Sequence, residues 1–297
     1  MISIGVIGCG KWSNIVINEI NKNRNFNLTA IVCRNPKKNI VNKNIDIFKS
    51  IKDLIESNKC DSLYVAANPL VNFEVINLIN EKPIPIILEK PFSNNYNYAI
   101  QMQKMIFKNN LLALSNFPNI YSECFNEIKK IINFNLEHLK EIQIVEGSFG
   151  PFRNNINPIW DWGYHSFSTL IHIFGYKSIS NIKIKEIKNN RLGKDLVVKF
   201  NFKINSKIKV KVVNGNLFKR KIRKMKIFFN NYDVYEFDMT NHIIFKNKEI
   251  IYTSKRSPLE NLLNIFFSNI EKKLNTEVSK VETACLTTKL LENFYSC

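Results

Sequence analysis

The chain alternates short apolar runs with helix-spaced patterns. Ser3 to Ile7 is apolar and β-rich, and Ile15, Val16 and Ile20 follow at helical spacing. Asn27 to Cys33, a short stretch near Ile45 to Phe48, Asp61 to Asn68 and Ile84 to Leu88 repeat the strand signal. Helical patterns near Ile51 to Ser57, over Val71 to Asn80 and over Tyr96 to Phe107 separate them or follow, and Leu111 to Phe117 reads as a further strand. Strand, turn and helix in succession predict a doubly wound α/β domain of the Rossmann type.

After a helix over Tyr121 to Phe134 the pattern changes. Leu139 to Phe149, Ser180 to Ile187, Leu196 to Ile204, Lys207 to Val213, Lys224 to Phe229, Asp233 to Asp238 and His242 to Tyr252 read as strands, with turn pairs such as Asn214-Gly215 and Asn230-Asn231 between them. Helices over Leu259 to Leu274 and Lys280 to Phe294 close the chain and are expected to pack back onto the rest. The expectation is a Rossmann domain over 1–118 and an α+β domain with a mostly antiparallel open sheet over 119–297.

Composition changes this picture little. The formal charge of +18 raises the question of nucleic acid, because basic surfaces attract phosphate whatever the sequence. The lysines are spread along the chain among many asparagines and isoleucines, a bias typical of AT-rich coding. One cluster stands out, Lys219 to Lys226, read as a solvated, charge-protected edge strand in preference to an anion-binding patch. It carries no interleaved aromatics, so no nucleic-acid partner is expected. The six cysteines form no C-x-x-C pair, nothing at the start reads as an export signal, and no apolar run suits a bilayer. Reduced thiols, a cytoplasmic location and no membrane partner are expected.

The candidate chemistry sits where strands end. Gly8-Cys9-Gly10-Lys11-Trp12-Ser13 links the first strand to the first helix, the context in which G-x-G-x-x-G holds a dinucleotide. Gly8 allows the tight turn and Gly10 lets the backbone approach a pyrophosphate; Ser13 replaces the third glycine. Where an acidic residue would bind the ribose hydroxyl, the chain reads Cys33-Arg34, without a carboxylate. Arg34 can pair with a 2′-phosphate or stack on adenine, which points to NADP over NAD; the plain alternative is a solvated loop arginine. Ala67, Asn68, Pro69 and Asn72 are placed to line the nicotinamide side, and Glu89-Lys90-Pro91 closes a buried strand at the same carboxyl edge.

In the second half, Ile159 to His165 stands out. Phe167, Leu170, Ile171 and Phe174 predict a helix beginning near Gly163, with Asp161 at or just before its cap and Gly175 as its stop. Asp161 and His165 then share a face, and a histidine beside a carboxylate suits proton transfer. The alternative is Asp161 as an N-cap and His165 as a structural histidine. His172 competes along nearly the same face but is ranked as packing, and no spacing suggests a metal site. Arg153 and Asn154, with Asn116 and Trp162, are the expected substrate contacts.

Together the glycine turn, Glu89-Lys90-Pro91 and Asp161-x-x-x-His165 resemble the landmarks, in order, of the glucose-fructose oxidoreductase and inositol dehydrogenase (Gfo/Idh/MocA) family. The resemblance covers essentially the whole chain. It implies Lys90, Asp161 and His165 as the catalytic trio, with Glu89 and Lys90 also beside the cofactor, and a Lys90–Pro91 bond that is often cis. Trp160-Asp161-Trp162-Gly163 and Gly150-Pro151-Phe152-Arg153 are similar to a branch found with surface-polysaccharide and sugar-nucleotide genes. The implied reaction is hydride transfer between NAD(P) and a sugar or nucleotide-sugar carbinol or ketone, and a homo-oligomer through the second sheet is expected. Asn72 stands where many members have histidine, and the chain is short for the family. A dinucleotide-binding sensor or scaffold without catalysis is the rival reading.

Overall fold

The structure is a computed structural model that describes residues 1–34, 45–152, 157–189, 196–275 and 278–295. Two compact units divide the chain. The first comprises Met1–Asn116 with Leu259–Glu292, and the second Phe117–Pro258 with Asn293–Tyr295. The sequence reading put the closing helices in the second domain; most of their length clusters instead with the first.

The first unit is built on a parallel sheet of β1 (Ile2–Ile7), β2 (Phe26–Val32), β3 (Asp46–Phe48), β4 (Ser62–Val65), β5 (Ile86–Leu88) and β6 (Ala113–Ser115). Its spatial order, β3-β2-β1-β4-β5-β6, reverses direction between β1 and β4, which is the switch point where this topology takes a dinucleotide. Helices α1 (Lys11–Lys22), α2 (Ile51–Glu56), α3 (Pro69–Leu78) and α4 (Tyr96–Lys108) connect the strands. β4, β5 and β6 are buried throughout, as strands covered on both faces must be. The predicted strand cores hold, with ends trimmed by turn residues such as Pro85.

Of the closing helices, α7 (Pro258–Lys272) packs Phe266 and Phe267 against Phe26 at the start of β2, with ring centroids 6.1 and 6.0 Å apart. In α8 (Val278–Tyr295), Thr288 donates to the Ser93 carbonyl and Glu292 accepts from the Tyr96 N–H at the start of α4.

The second unit holds α5 (Glu123–Phe134), α6 (Pro158–Phe174) and an eight-stranded sheet of β7 (Leu139–Phe149), β8 (Ile179–Asn189), β9 (Leu196–Ile204), β10 (Ile208–Gly215), β11 (Leu217–Phe229), β12 (Val234–Asp238), β13 (Ile243–Lys246) and β14 (Glu249–Thr253). All pairings are antiparallel except that of β10 with β7. α6 packs on β7, β9 and β10.

Two expectations in this sheet are corrected. The run from His242 to Tyr252, read as one strand, is a hairpin: Asn247 and Lys248 take φ of 49° and 79°, the left-handed pair a two-residue turn requires. The basic cluster is not on an edge strand. β11 lies between β12 and β7, and a register shift between Leu217 and Ile222 puts Lys219, Arg220 and Lys221 outside the ladder with β7. Beyond it Arg223 pairs with Glu146, and Lys224 and Lys226 with Glu236 at 2.5 and 3.2 Å. Carboxylates on neighbouring strands, not solvent alone, answer these cations.

Candidate functional site

In the first unit the glycine turn follows β1 directly. Gly8 has φ of 121°, and a Cβ there would meet the Ala66 carbonyl oxygen at 2.4 Å, so both conformation and space demand glycine. At Gly10 a Cβ would meet nothing within 4 Å, leaving the backbone open to an approaching group. No side chain caps α1 from Gly10, and the first N–H groups of a helix have no partner inside it. A helix start that follows an open glycine with no capping side chain of its own fits a pyrophosphate. Ser13 does more than stay small: its hydroxyl accepts from the Gly10 N–H at 3.2 Å and donates to the Ala66 carbonyl at 3.1 Å, tying the turn to the end of β4. Lys11 is exposed and Trp12 is 40% exposed.

Arg34, just past β2, is exposed; Cys33 is not a free thiol but is joined to Cys9. The expectation of reduced thiols therefore fails for this pair. No sequence spacing flagged it, because adjacency of β1 and β2 brings together residues 24 apart. Cys60, Cys124 and Cys285 are free. Past β4, Asn68 caps α3 by accepting from the Leu70 N–H, with Pro69 as the first helical residue and Ala67 half-buried before them.

Asn72, from α3, is fully buried, and its amide donates to the carbonyls of Glu89, Pro91 and Phe92 at 3.0, 3.3 and 3.1 Å. It braces the chain on both sides of Lys90. Lys90 itself is half-buried at the end of β5, and the Lys90–Pro91 bond is cis, as the resemblance implied. Beside it, Glu89 Oε1 accepts from Trp12 Nε1 at 2.5 Å, Tyr64 Oη at 2.6 Å and Asn116 Nδ2 at 2.7 Å. Burial raises the Glu89 pKa, against these hydrogen bonds and the Lys90 charge. The Tyr64 phenol is pushed well above its usual range by burial and then by Glu89, so it stays the donor. Tyr64 was not foreseen; the buried run that marked β4 gave no reason to single out one side chain. Asn116, expected at substrate, is 2% exposed with its amide shared between Glu89 and Tyr64.

In the second unit, α6 begins five residues earlier than expected. Asn157 caps it by accepting from the Ile159 N–H, and Pro158 is its first residue. Asp161 therefore sits inside the first turn and is not the cap. Asp161 and His165 share a helical face, each 7% exposed. Trp162 lies beside His165, with ring centroids 6.4 Å apart, and its buried Nε1 has no hydrogen-bond partner among the described residues. His172, in the last turn of α6, lies against the Phe125 ring, as a packing residue would. Arg153 and Asn154 lie outside the described residues.

A charged cluster beneath α6 went unforeseen. Glu146, fully buried on β7, takes both Nε and a terminal nitrogen of Arg223 at 3.1 and 3.0 Å and the Ser166 hydroxyl at 2.7 Å. Asn119 accepts from Arg223 at 2.6 Å and donates to Thr169, and Asn214 donates to Ser166 at 2.9 Å. Ser168 and Thr169 both donate to the His165 carbonyl. Among the described residues, no His, Cys, Asp and Glu group could hold a metal ion, and no helix is long and apolar enough to cross a membrane.

A glycine turn at the switch point of a doubly wound sheet, followed by a unit built on an open sheet, defines a dinucleotide-binding α/β protein. Residues 2–117 match the family model GFO_IDH_MocA, described as an oxidoreductase family with an NAD-binding Rossmann fold, a match that covers the parallel-sheet part of the chain. The structure of UDP-N-acetylglucosamine 3-dehydrogenase from Acidithiobacillus ferrooxidans is similar over 97% of this chain and 96% of its own, at 14% identity and a TM-score of 0.83. Scyllo-inositol dehydrogenase from Lactobacillus casei, solved with NAD(H) and scyllo-inositol, covers 98% and 94% at 15% identity and 0.78. Biliverdin reductase from Synechocystis sp. PCC 6803, solved with biliverdin and NADP+, covers 98% and 97% at 12% and 0.74. At these identities the likeness is one of fold. No curated protein matches the chain by sequence.

Proposed function

We propose that the protein is an NAD(P)-dependent dehydrogenase or reductase, cytoplasmic and homo-oligomeric through its second sheet, that acts on a carbinol or ketone of a sugar or nucleotide sugar. The observation that carries this reading is one sheet edge bearing both a glycine turn fitted to a pyrophosphate and Lys90, braced by Asn72 and Glu89. Two proteins of the same fold, one named for a nucleotide sugar and one solved with an inositol, support the substrate class.

When bound, the nicotinamide accepts or delivers the hydride. The N-terminus of α1 holds the pyrophosphate, and Arg34 favours NADP by facing a 2′-phosphate. Lys90 hydrogen-bonds the substrate oxygen and stabilises negative charge developing there. His165 takes the hydroxyl proton in oxidation or returns it in reduction, and Asp161 orients the imidazole or the substrate. Trp162 Nε1, a donor still to be matched, suits a substrate oxygen, and Arg153 and Asn154 suit a phosphate of the sugar nucleotide.

A panel of nucleotide sugars and inositols, followed at the reduced-nicotinamide absorbance band with NAD and with NADP, tests this. Turnover of at least one of them, abolished by Lys90→Met, is expected. Dinucleotide binding without turnover of any substrate would favour the sensor or scaffold.

A further inference from the structure

Cys9 stands between the two glycines of the turn, and Cys33 follows the last residue of β2. β1 and β2 are parallel neighbours with Ile7 opposite Val32, and the Gly8 N–H donates to the Val32 carbonyl at 3.0 Å, so both cysteines emerge at the same carboxyl edge. Their Cα atoms lie 5.5 Å apart, within the span a disulfide bridges without backbone movement, and they are bonded. Cys9 is half-exposed and Cys33 is 2% exposed. The other described cysteines are isolated, and burial raises all three thiols, Cys60 and Cys285 to about 11. Among the described residues, oxidation is thus directed to one pair.

The position gives the pair a consequence. In this topology the dinucleotide crosses the first glycine turn toward the end of β2, where its adenosine ribose is bound. The bridge ties the glycine turn to the end of β2, the two segments between which the ribose would sit, with Cys9 the more exposed of the pair and Cys33 buried. We propose that Cys9 and Cys33 form a thiol–disulfide site that controls dinucleotide binding: the dithiol admits the cofactor and the disulfide excludes it. This rests on the dinucleotide reading above. A disulfide in a protein of a reducing compartment is more often such a redox sensor than a structural staple.

The oxidant is a low-molecular-weight disulfide. The Cys9 thiolate, the more exposed of the two and beside the start of α1, attacks one of its sulfurs, forming a mixed disulfide and releasing one small thiol. Cys33 gives up its proton and attacks the Cys9 sulfur, closing the bridge and releasing the second small thiol. Two protein thiols are oxidised and one small disulfide is reduced to two thiols; a dithiol reductant reverses both steps.

The whole protein, treated with dithiothreitol or with oxidised glutathione, is compared by peptide mass mapping and by calorimetric titration with NADP and NAD. Expected are a cross-linked 9–33 peptide lacking two hydrogens and dinucleotide binding weaker by at least about tenfold in the oxidised protein, restored by reductant. In Cys9→Ser and in Cys33→Ser the two treatments should give equal affinities, whatever each variant's own affinity. Failure to form the bridge, or a bridge with equal or tighter binding, overturns the proposal. Absence of binding in both states, with the bridge formed, overturns the dinucleotide reading itself and the gating with it.

Discussion

Around Lys90, single hydrogen-bonding atoms hold the strand end in place. Lys90→Met and His165→Ala are each expected to lower kcat by about 10²–10⁴ while the dinucleotide dissociation constant stays near wild type, if each acts on the substrate oxygen as proposed. Steady-state kinetics beside calorimetry separates the two quantities. Gly8→Ala would set a Cβ against the Ala66 carbonyl and strain a left-handed backbone; a loss of roughly 1–3 kcal/mol and of dinucleotide binding is expected in urea denaturation and titration. Glu89 yields a pH prediction. A carboxyl whose folded-state pKa is raised adds stability that is complete below its unfolded value, about 4.3, and is lost as pH rises through the folded value. Glu89→Gln keeps an acceptor for Tyr64, Trp12 and Asn116 but cannot ionise. Its urea stability should decline less than that of wild type as pH rises from about 4 toward neutrality; an identical slope would contradict the assignment.

At the scale of elements, α6 is held to the sheet by hydrogen bonds to a buried carboxylate as well as by apolar packing. Glu146 answers Arg223 in a buried position and receives Ser166, the residue after His165. Removing one partner of a buried ion pair strands the other, so Glu146→Ala should lose about 3–5 kcal/mol in denaturant unfolding. Pairing it with Arg223→Ala should give less than the sum of the two single losses, because the second change removes the stranded charge. The start of α6 was readable but misplaced: the apolar spacing after Gly163 was correct, while Asn157-Pro158, a cap followed by a proline at the first helical position, marked the true start. β11 was misjudged for a different reason. A basic strand looks like an edge strand until Glu146 and Glu236 on its neighbours are known.

For the molecule as a whole, the chain's end completes its beginning. Leu262, Leu263 and Phe266 are fully buried in the first unit, with Phe266 and Phe267 against Phe26. Ending the chain at Pro258 would uncover Phe26, and the shortened protein should melt well below the full chain or fail to fold, as thermal circular dichroism would register. Local sequence alone determined the doubly wound first domain, the antiparallel character of the second, the glycine turn, the strand-end lysine and the Asp161–His165 face, since each follows from a period or spacing along the backbone. Tertiary structure alone decided the Cys9–Cys33 bond, the three donors on Glu89, the Asn72 brace, the Glu146–Arg223 pair and which unit the last helices join. These unite residues far apart in the chain, and nothing in local periodicity encodes which distant strand or helix becomes the neighbour that supplies the partner.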